Sequence, residues 1–151
     1  MGMNITYYFD LPPTLNEIIA ASARNRFVGG KLKKDWTHRI ANETADTVQF
    51  PGKVWMEFTW YLKRFTRDPD NIQSAKKYIL DGLQGIKDKK SGVIIIPHVL
   101  KEDSLRTIQS PIVEWFEKGK EDRVKVFITE DPKEILQRCV EMYESLNELS
   151  A

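Results

Sequence analysis

Arg67-Asp68-Pro69-Asp70-Asn71 packs a guanidinium, two carboxylates and a carboxamide into five consecutive residues. Carboxylate oxygens at that density can hold a hard divalent cation, and Lys63, Arg64 and Arg67 can hold the phosphates such an ion would polarise. A plainer reading fits the same residues. Asp68 suits a helix N-cap, Pro69 the first helical position, and Asp70 the positive end of a helix dipole. In a regular helix, residues two apart face away from each other, so two aspartates do not complete a hard-metal site alone. The other close carboxylate pair beside an apolar run is Glu102-Asp103, within Val99-Leu100-Lys101-Glu102-Asp103-Ser104.

Other chemistries lack their residues. There is no phosphate-loop glycine pattern, no cysteine and histidine metal spacing and no serine elbow. An EF-hand is excluded, because counting Asp68 as position one puts Ile79 where a bidentate glutamate is required. His38 and His98 lack partners at ligand spacing, and Trp36, Trp55, Trp60 and Trp115 read as core or interface residues.

The elements around the junction follow from periodicity. Val54, Met56, Phe58, Trp60 and Leu62 alternate with Trp55, Glu57, Thr59, Tyr61 and Lys63, the clearest strand in the chain. Ile72, Ala75, Ile79, Leu83 and Ile86 then recur at helical spacing, so both aspartates sit between a strand and a core-packed helix. Upstream, residues 3–9 alternate as a strand, and Thr14 with Glu17 forms a capping-box pattern that opens a short helix to about Ala23. Gly29-Gly30 is expected to break the chain before a second helix over about 31–49. Downstream, 87–92 reads as a polar loop and Val93–Ile96 as a buried or edge strand ended by Pro97. Residues 112–117 and 123–129 read as a hairpin. Asp131-Pro132 with Glu134 opens a last helix whose apolar positions are Ile135, Leu136, Cys139, Val140, Tyr143, Leu146 and Leu149. The expected fold class is α+β, a mixed sheet with helices packed mainly on one face.

With 151 residues, 41% hydrophobic and 30% charged, the chain matches one soluble globular domain, 1–151, with 130–151 as a C-terminal helical extension. No charged-then-apolar leader or membrane-length apolar run is present, and Cys139 is the only cysteine; a reducing cytoplasm and no membrane are expected. The net charge of +1 is unevenly spread. Residues 24–39 hold six cations against Asp35 alone, a balance of +5, whereas 130–151 hold six carboxylates against Lys133 and Arg138, a balance of −4. A polyanion would therefore meet one region, including Lys33 and Lys34, and the acidic last helix argues against contact there.

Arg67-Asp68-Pro69-Asp70-Asn71-Ile72-Gln73, then Leu80-Asp81-Gly82-Leu83, then Leu100-Lys101-Glu102-Asp103-Ser104, resemble in order the RusA family of Holliday junction resolvases. Leu11-Pro12-Pro13-Thr14-Leu15-Asn16 resembles that family's opening strand and turn, so the likeness covers roughly residues 4 to 129. The resemblance implies a RusA-like, homodimeric, Mg²⁺-dependent endonuclease (Mn²⁺ as a substitute) that cuts four-way DNA junctions in recombination and repair. It would work in a bacterial or phage-infected cell, near the nucleoid, without a small-molecule cofactor. It further implies Asp68, Asp70 and Asp103 as metal ligands; beside them Lys63, Arg64, Arg67 and Asn71 are expected at the DNA. The chain departs from the family at Ser74, where a lysine is usual, and the span between helix and Asp103 is longer. Helical geometry offers Lys77 as a substitute cation, since seven residues from Asp70 return it to within roughly 20° of that face. The alternatives are a catalytically weak or inactive RusA-like protein that binds branched DNA, and a protein-interaction module using the last helix.

Overall fold

The computed structural model describes residues 2–150, with the side chains of 2–148. The element order is β1 (Asn4–Asp10), α1 (Leu15–Arg24), α2 (Arg26–Thr44), β2 (Trp55–Leu62), α3 (Pro69–Gln73), α4 (Lys76–Leu83), β3 (Ile86–Lys87), β4 (Ile94–Ile96), β5 (Val113–Lys118), β6 (Arg123–Thr129) and α5 (Pro132–Ser150). The class is α+β. A four-stranded mixed sheet has the order β1-β6-β2-β5, and β3 and β4 form a separate two-stranded arm.

Alternation in the strands sorts the sheet's residues between two faces. Met56, Phe58, Trp60, Leu62, Val124, Val126, Ile128, Tyr7 and Phe9 join one buried cluster with Ile40 of α2, Ile72 of α3 and Ile79 and Leu83 of α4. Each fully buried large apolar side chain contributes about 1.5–3 kcal/mol, so this face dominates stability. On the opposite face Glu57 of β2 is buried and meets α5: Arg138 Nη1 donates to its Oε1 at 3.1 Å, and Trp115 Nε1 to its Oε2 at 3.0 Å. Among the described residues no helix is long and apolar enough to cross a membrane.

Several elements differ from expectation. Gly29-Gly30 does not break the chain; α2 runs through it, and the break falls at extended Asn25, whose Oδ1 accepts the Phe27 N–H at 2.8 Å. Gly29 is buried because α1 crosses there, and a Cβ would collide with Ser22. The second helix also ends earlier than expected, at Thr44 and not near Gln49, where Ala45 leaves the helical conformation. The helix after the junction is two segments, α3 and α4, joined through Ser74 and Ala75, which both keep right-handed helical dihedrals.

Residues 112–117 and 123–129 are strands, but not a hairpin: β2 lies between them, parallel to β5 and antiparallel to β6. Their connection passes over the end of β2, where Gly119 N–H donates to the Leu62 carbonyl at 2.9 Å. Of the two expectations for Val93–Ile96, the edge strand is the one observed: β4 lies in the two-stranded β3–β4 arm, with Val93, Ile94 and Ile95 exposed. In α5, Ile135 is buried while Leu136, Val140, Tyr143 and Leu146 are exposed, because Arg138 stands on the helix face turned toward the sheet. Leu149's side chain lies outside the described residues.

Candidate nucleic-acid interface

The junction sits where β2 ends. Asp122 spans the loop that follows: its Oδ1 accepts the Lys63 N–H at 2.9 Å and its Oδ2 accepts Arg67 Nη2 at 2.8 Å. Burial raises the Asp122 carboxyl, but the Lys63 N–H, the Arg67 hydrogen bond and the charges of Arg67 and Lys63 together bring it below its ordinary value. Arg67 is thus held by a carboxylate across the sheet end, and its buried Nη1 has no hydrogen-bond partner among the described residues. Lys63 and Arg64 are exposed.

Asp68 occupies the N-cap position of α3, exposed, in an extended conformation and without a side-chain capping bond. Asp70 is exposed on the first turn, and its Oδ1 accepts the Asn71 N–H at 3.0 Å. The Asn71 side chain reaches the other way: its Oδ1 accepts the backbone N–H of Asn16 at 2.9 Å, fastening the start of α1 to α3. Ser74 donates its hydroxyl to the Asn71 carbonyl at 2.7 Å. These bonds fix the backbone at both aspartates, and among the described residues the Asp68 side chain makes no hydrogen bond or ion pair.

Asp103 is exposed on a loop anchored elsewhere. The N–H groups of Val99 and Leu100 both donate to the Leu83 carbonyl at the end of α4, and the Thr107 carbonyl accepts from Val54 at the start of β2. Among the described residues no group of three or more His, Cys, Asp or Glu side chains is placed to hold a metal ion, so Asp68, Asp70 and Asp103 do not form one within the chain. Asp68 and Asp70 are exposed carboxylates two residues apart at the start of α3. Beside Asp103, Glu102 is held below its ordinary value by Ser104, which outweighs the small effect of burial, and by Thr107 and Arg106.

The lysines of the junction helix are engaged. Lys77 pairs with Asp81 at 3.3 Å, one turn toward the C-terminus, its side chain largely exposed. Lys76 donates to Glu114 Oε2 at 2.7 Å and lies over the Phe58 ring at 5.9 Å. Gln73 and Trp60 donate to the same Glu114 carboxylate, at 3.0 Å each, so Lys76 is part of the packing between α4 and β5.

Lys33 and Lys34 are exposed on α2, and the structure sets Lys87, Lys89 and Lys90 across from them. A groove of about 870 Å³ is lined by these five lysines with Gly30, His38, Gly85 and Ile95. Its two walls are close because Gly82 of α4 lies under Ile40 of α2, where a Cβ would collide. Gly85 then turns the chain at φ +71, where a Cβ would collide with the Ile96 carbonyl, so the position favours glycine. Asp88 shapes the arm's tip: it accepts from Ser91 Oγ at 2.7 Å and from Lys90 N–H at 3.2 Å, presenting Lys89 and Lys90 outward. Behind the arm, His98 is held below its ordinary value by burial first, then by the charges of Lys101 and Lys87.

The sequence showed Lys87-Asp88-Lys89-Lys90 as three cations in four residues. That signal was present, but not its partnership with α2. Of the other four cations of the basic segment, Lys31 pairs with Asp35 at 3.9 Å and Arg39 pairs with Asp10 and Glu43 while stacking on Trp36. A scan against protein-family models and a search of the curated proteins each found no match to the chain.

Proposed function

We propose that this chain is a structure-selective DNA endonuclease of the RusA kind, acting as a homodimer on four-way junctions in recombination and repair. The lysine groove binds phosphates and the Asp68–Asp70 junction is the cutting end. The observation that carries the reading is the Asn16–Asn71 hydrogen bond. It ties the Leu11–Asn16 segment to the Arg67–Gln73 segment, two of the four on which the resemblance rests, and supports them as one functional unit. Asp68 and Asp70 would hold Mg²⁺, or Mn²⁺ in its place, and the ion would supply an activated water and charge for the leaving oxygen. Arg64 and Lys63, exposed beside the carboxylates, neutralise the phosphates nearest the cut, and Arg67 adds its charge from its pair with Asp122. Asp103 belongs to this reading by resemblance only.

One observation favours a second reading, binding of branched DNA without cutting: among the described residues no three-carboxylate group forms, and Lys77 pairs with Asp81. A labelled four-way junction with binding and cleavage scored separately decides between them. Binding in EDTA, cutting on addition of Mg²⁺ and loss of cutting with retained binding in Asp70→Asn support the endonuclease. Binding with no product in Mg²⁺ or Mn²⁺ supports the second reading. A protein that does not prefer the junction over linear duplex removes both.

A further inference from the structure

A continuous run of β-branched residues is the pattern of a strand covered on both faces, yet the run at β4 is covered on neither. Val93, Ile94 and Ile95 are exposed at 60%, 56% and 62%, and along a strand Ile94 points to the side opposite its two neighbours. Among the described residues β4 pairs with β3 alone, so its other edge is open. The ladder fixes which backbone groups that edge presents. The Val93 carbonyl accepts the Asp88 N–H at 2.9 Å and so turns toward β3; alternation then turns the N–H and carbonyl of Ile94 outward.

The surroundings of the edge are cationic. Ile95 lines the groove that Lys33 and Lys34 of α2 share with Lys87, Lys89 and Lys90 of the arm. Asp88 also lines it, but its carboxylate accepts from Ser91 Oγ and from the Lys90 N–H.

We propose that β4 is a docking edge for an extended acidic segment of a partner protein, which adds a third strand to the arm. Its backbone pairs with Ile94, its apolar residues lie beside the Ile94 side chain, and carboxylates at the alternate positions face the side of Ile95 and the lysines. Duplex DNA offers phosphates to the lysines, but neither a strand for Ile94 nor cover for isoleucines on both faces. A second copy of this chain would bring the same lysines to the edge, and like charges there repel. The acidic segment and a DNA strand therefore compete for one set of lysines, which makes the segment a regulator of the groove. The docking itself does not rest on DNA binding or cutting.

Fluorescence anisotropy tests it with the full chain, no DNA and a labelled peptide of about ten alternating glutamates and valines, a common strand length. That peptide is expected to bind. One with serine for valine keeps the charge and should bind at least about tenfold more weakly. N-methylation of one alternate set of peptide amides should abolish binding, and of the other set should not, because only one set faces β4. Ile94→Pro removes the outward N–H at an edge position that tolerates proline, and should also weaken binding about tenfold. Circular dichroism checks that this variant is folded, and Ile94→Ser, which keeps the N–H but loses the apolar side chain, should weaken binding as well. No binding of the valine peptide overturns the docking edge. Equal binding of the valine and serine peptides, or indifference to which amides are methylated, shows attraction by charge alone and overturns it too. Peptide binding unchanged by Ile94→Ser while four-way-junction binding falls would give the edge to nucleic acid instead.

Discussion

The β3–β4 arm and α2 hold one strand of nucleic acid between them if the groove is the binding track, and its salt dependence measures how many phosphates each wall neutralises. The arm contributes Lys87, Lys89 and Lys90, and α2 contributes Lys33 and Lys34. Each neutralised phosphate of duplex DNA adds about 0.9 to the slope of log affinity against log salt. Changing the three arm lysines to glutamine should lower the slope by up to about 2.7, and changing the two on α2 by up to about 1.8. Asp88 sits among the arm lysines, so the arm's value is an upper bound. Over a fourfold rise in salt a slope unit is about a fourfold change in affinity, which makes the arm's share up to about fortyfold. These side chains are exposed, and such surface substitutions usually cost less than about 0.5 kcal/mol of stability.

The assay is anisotropy of a labelled four-way junction without divalent metal, beside a linear duplex of equal length. Lower slopes in both variants, with their effects combining in the five-lysine variant, support a two-walled track. A slope unchanged in the arm variant refutes it, whatever α2 does. A slope lowered by the arm but indifferent to Lys33 and Lys34 would leave the arm binding without the helix, and the groove would not be the unit.

At the end of β2, Asp122→Asn keeps an acceptor for the Lys63 N–H but loses the charge facing Arg67, at a cost of about 1–2 kcal/mol near neutral pH. The folded Asp122 carboxyl lies below its unfolded value, so its contribution is present above that unfolded value, near 4, and fades as pH falls through the folded one. Acid denaturation followed by tryptophan fluorescence should therefore separate the two proteins at pH 7 and bring them together in strong acid; a constant difference would show that charge is not the cause. On the opposite face, Arg138→Met should cost about 2–3 kcal/mol by leaving Glu57 buried with the Trp115 donor alone, read as a lower urea midpoint. No change in midpoint would mean that α5 is held by Ile135 and its neighbours instead. His98 is held down partly by Lys101 and Lys87, so phosphates that screen those lysines should raise its pKa and tighten binding as pH falls. NMR titration of the His98 ring with and without DNA measures this, and an unmoved midpoint would place the DNA away from the arm's base.

The strands β1 and β2 and the helices after the junction were legible because one side of each is buried in a single cluster, and burial of one side writes a period into the sequence. Gly29-Gly30 misled because glycine signals two things: freedom to turn and room for a neighbour. Here the second applies at Gly29, where Ser22 lies against the helix. Strands β5 and β6 were visible as strands, but their pairing depends on β2 entering between them from over fifty residues away, which no local turn signal records. At the site, the junction's carboxylates and the α2 lysines could be named from type and spacing. The Asn16–Asn71 bond and the arm's lysines opposite α2 could not, since each joins segments about fifty-five residues apart and leaves no periodicity.

Helix α5 shows the limit of periodicity most clearly. Its apolar residues recur at helical spacing, and that spacing says that a face needs covering but not what covers it. The sheet beneath offers a buried carboxylate, Glu57, so the face turned to it carries Arg138, and the apolar stripe faces outward. The stripe's exposure therefore follows from the charge pair beneath the helix, which no spacing within α5 records.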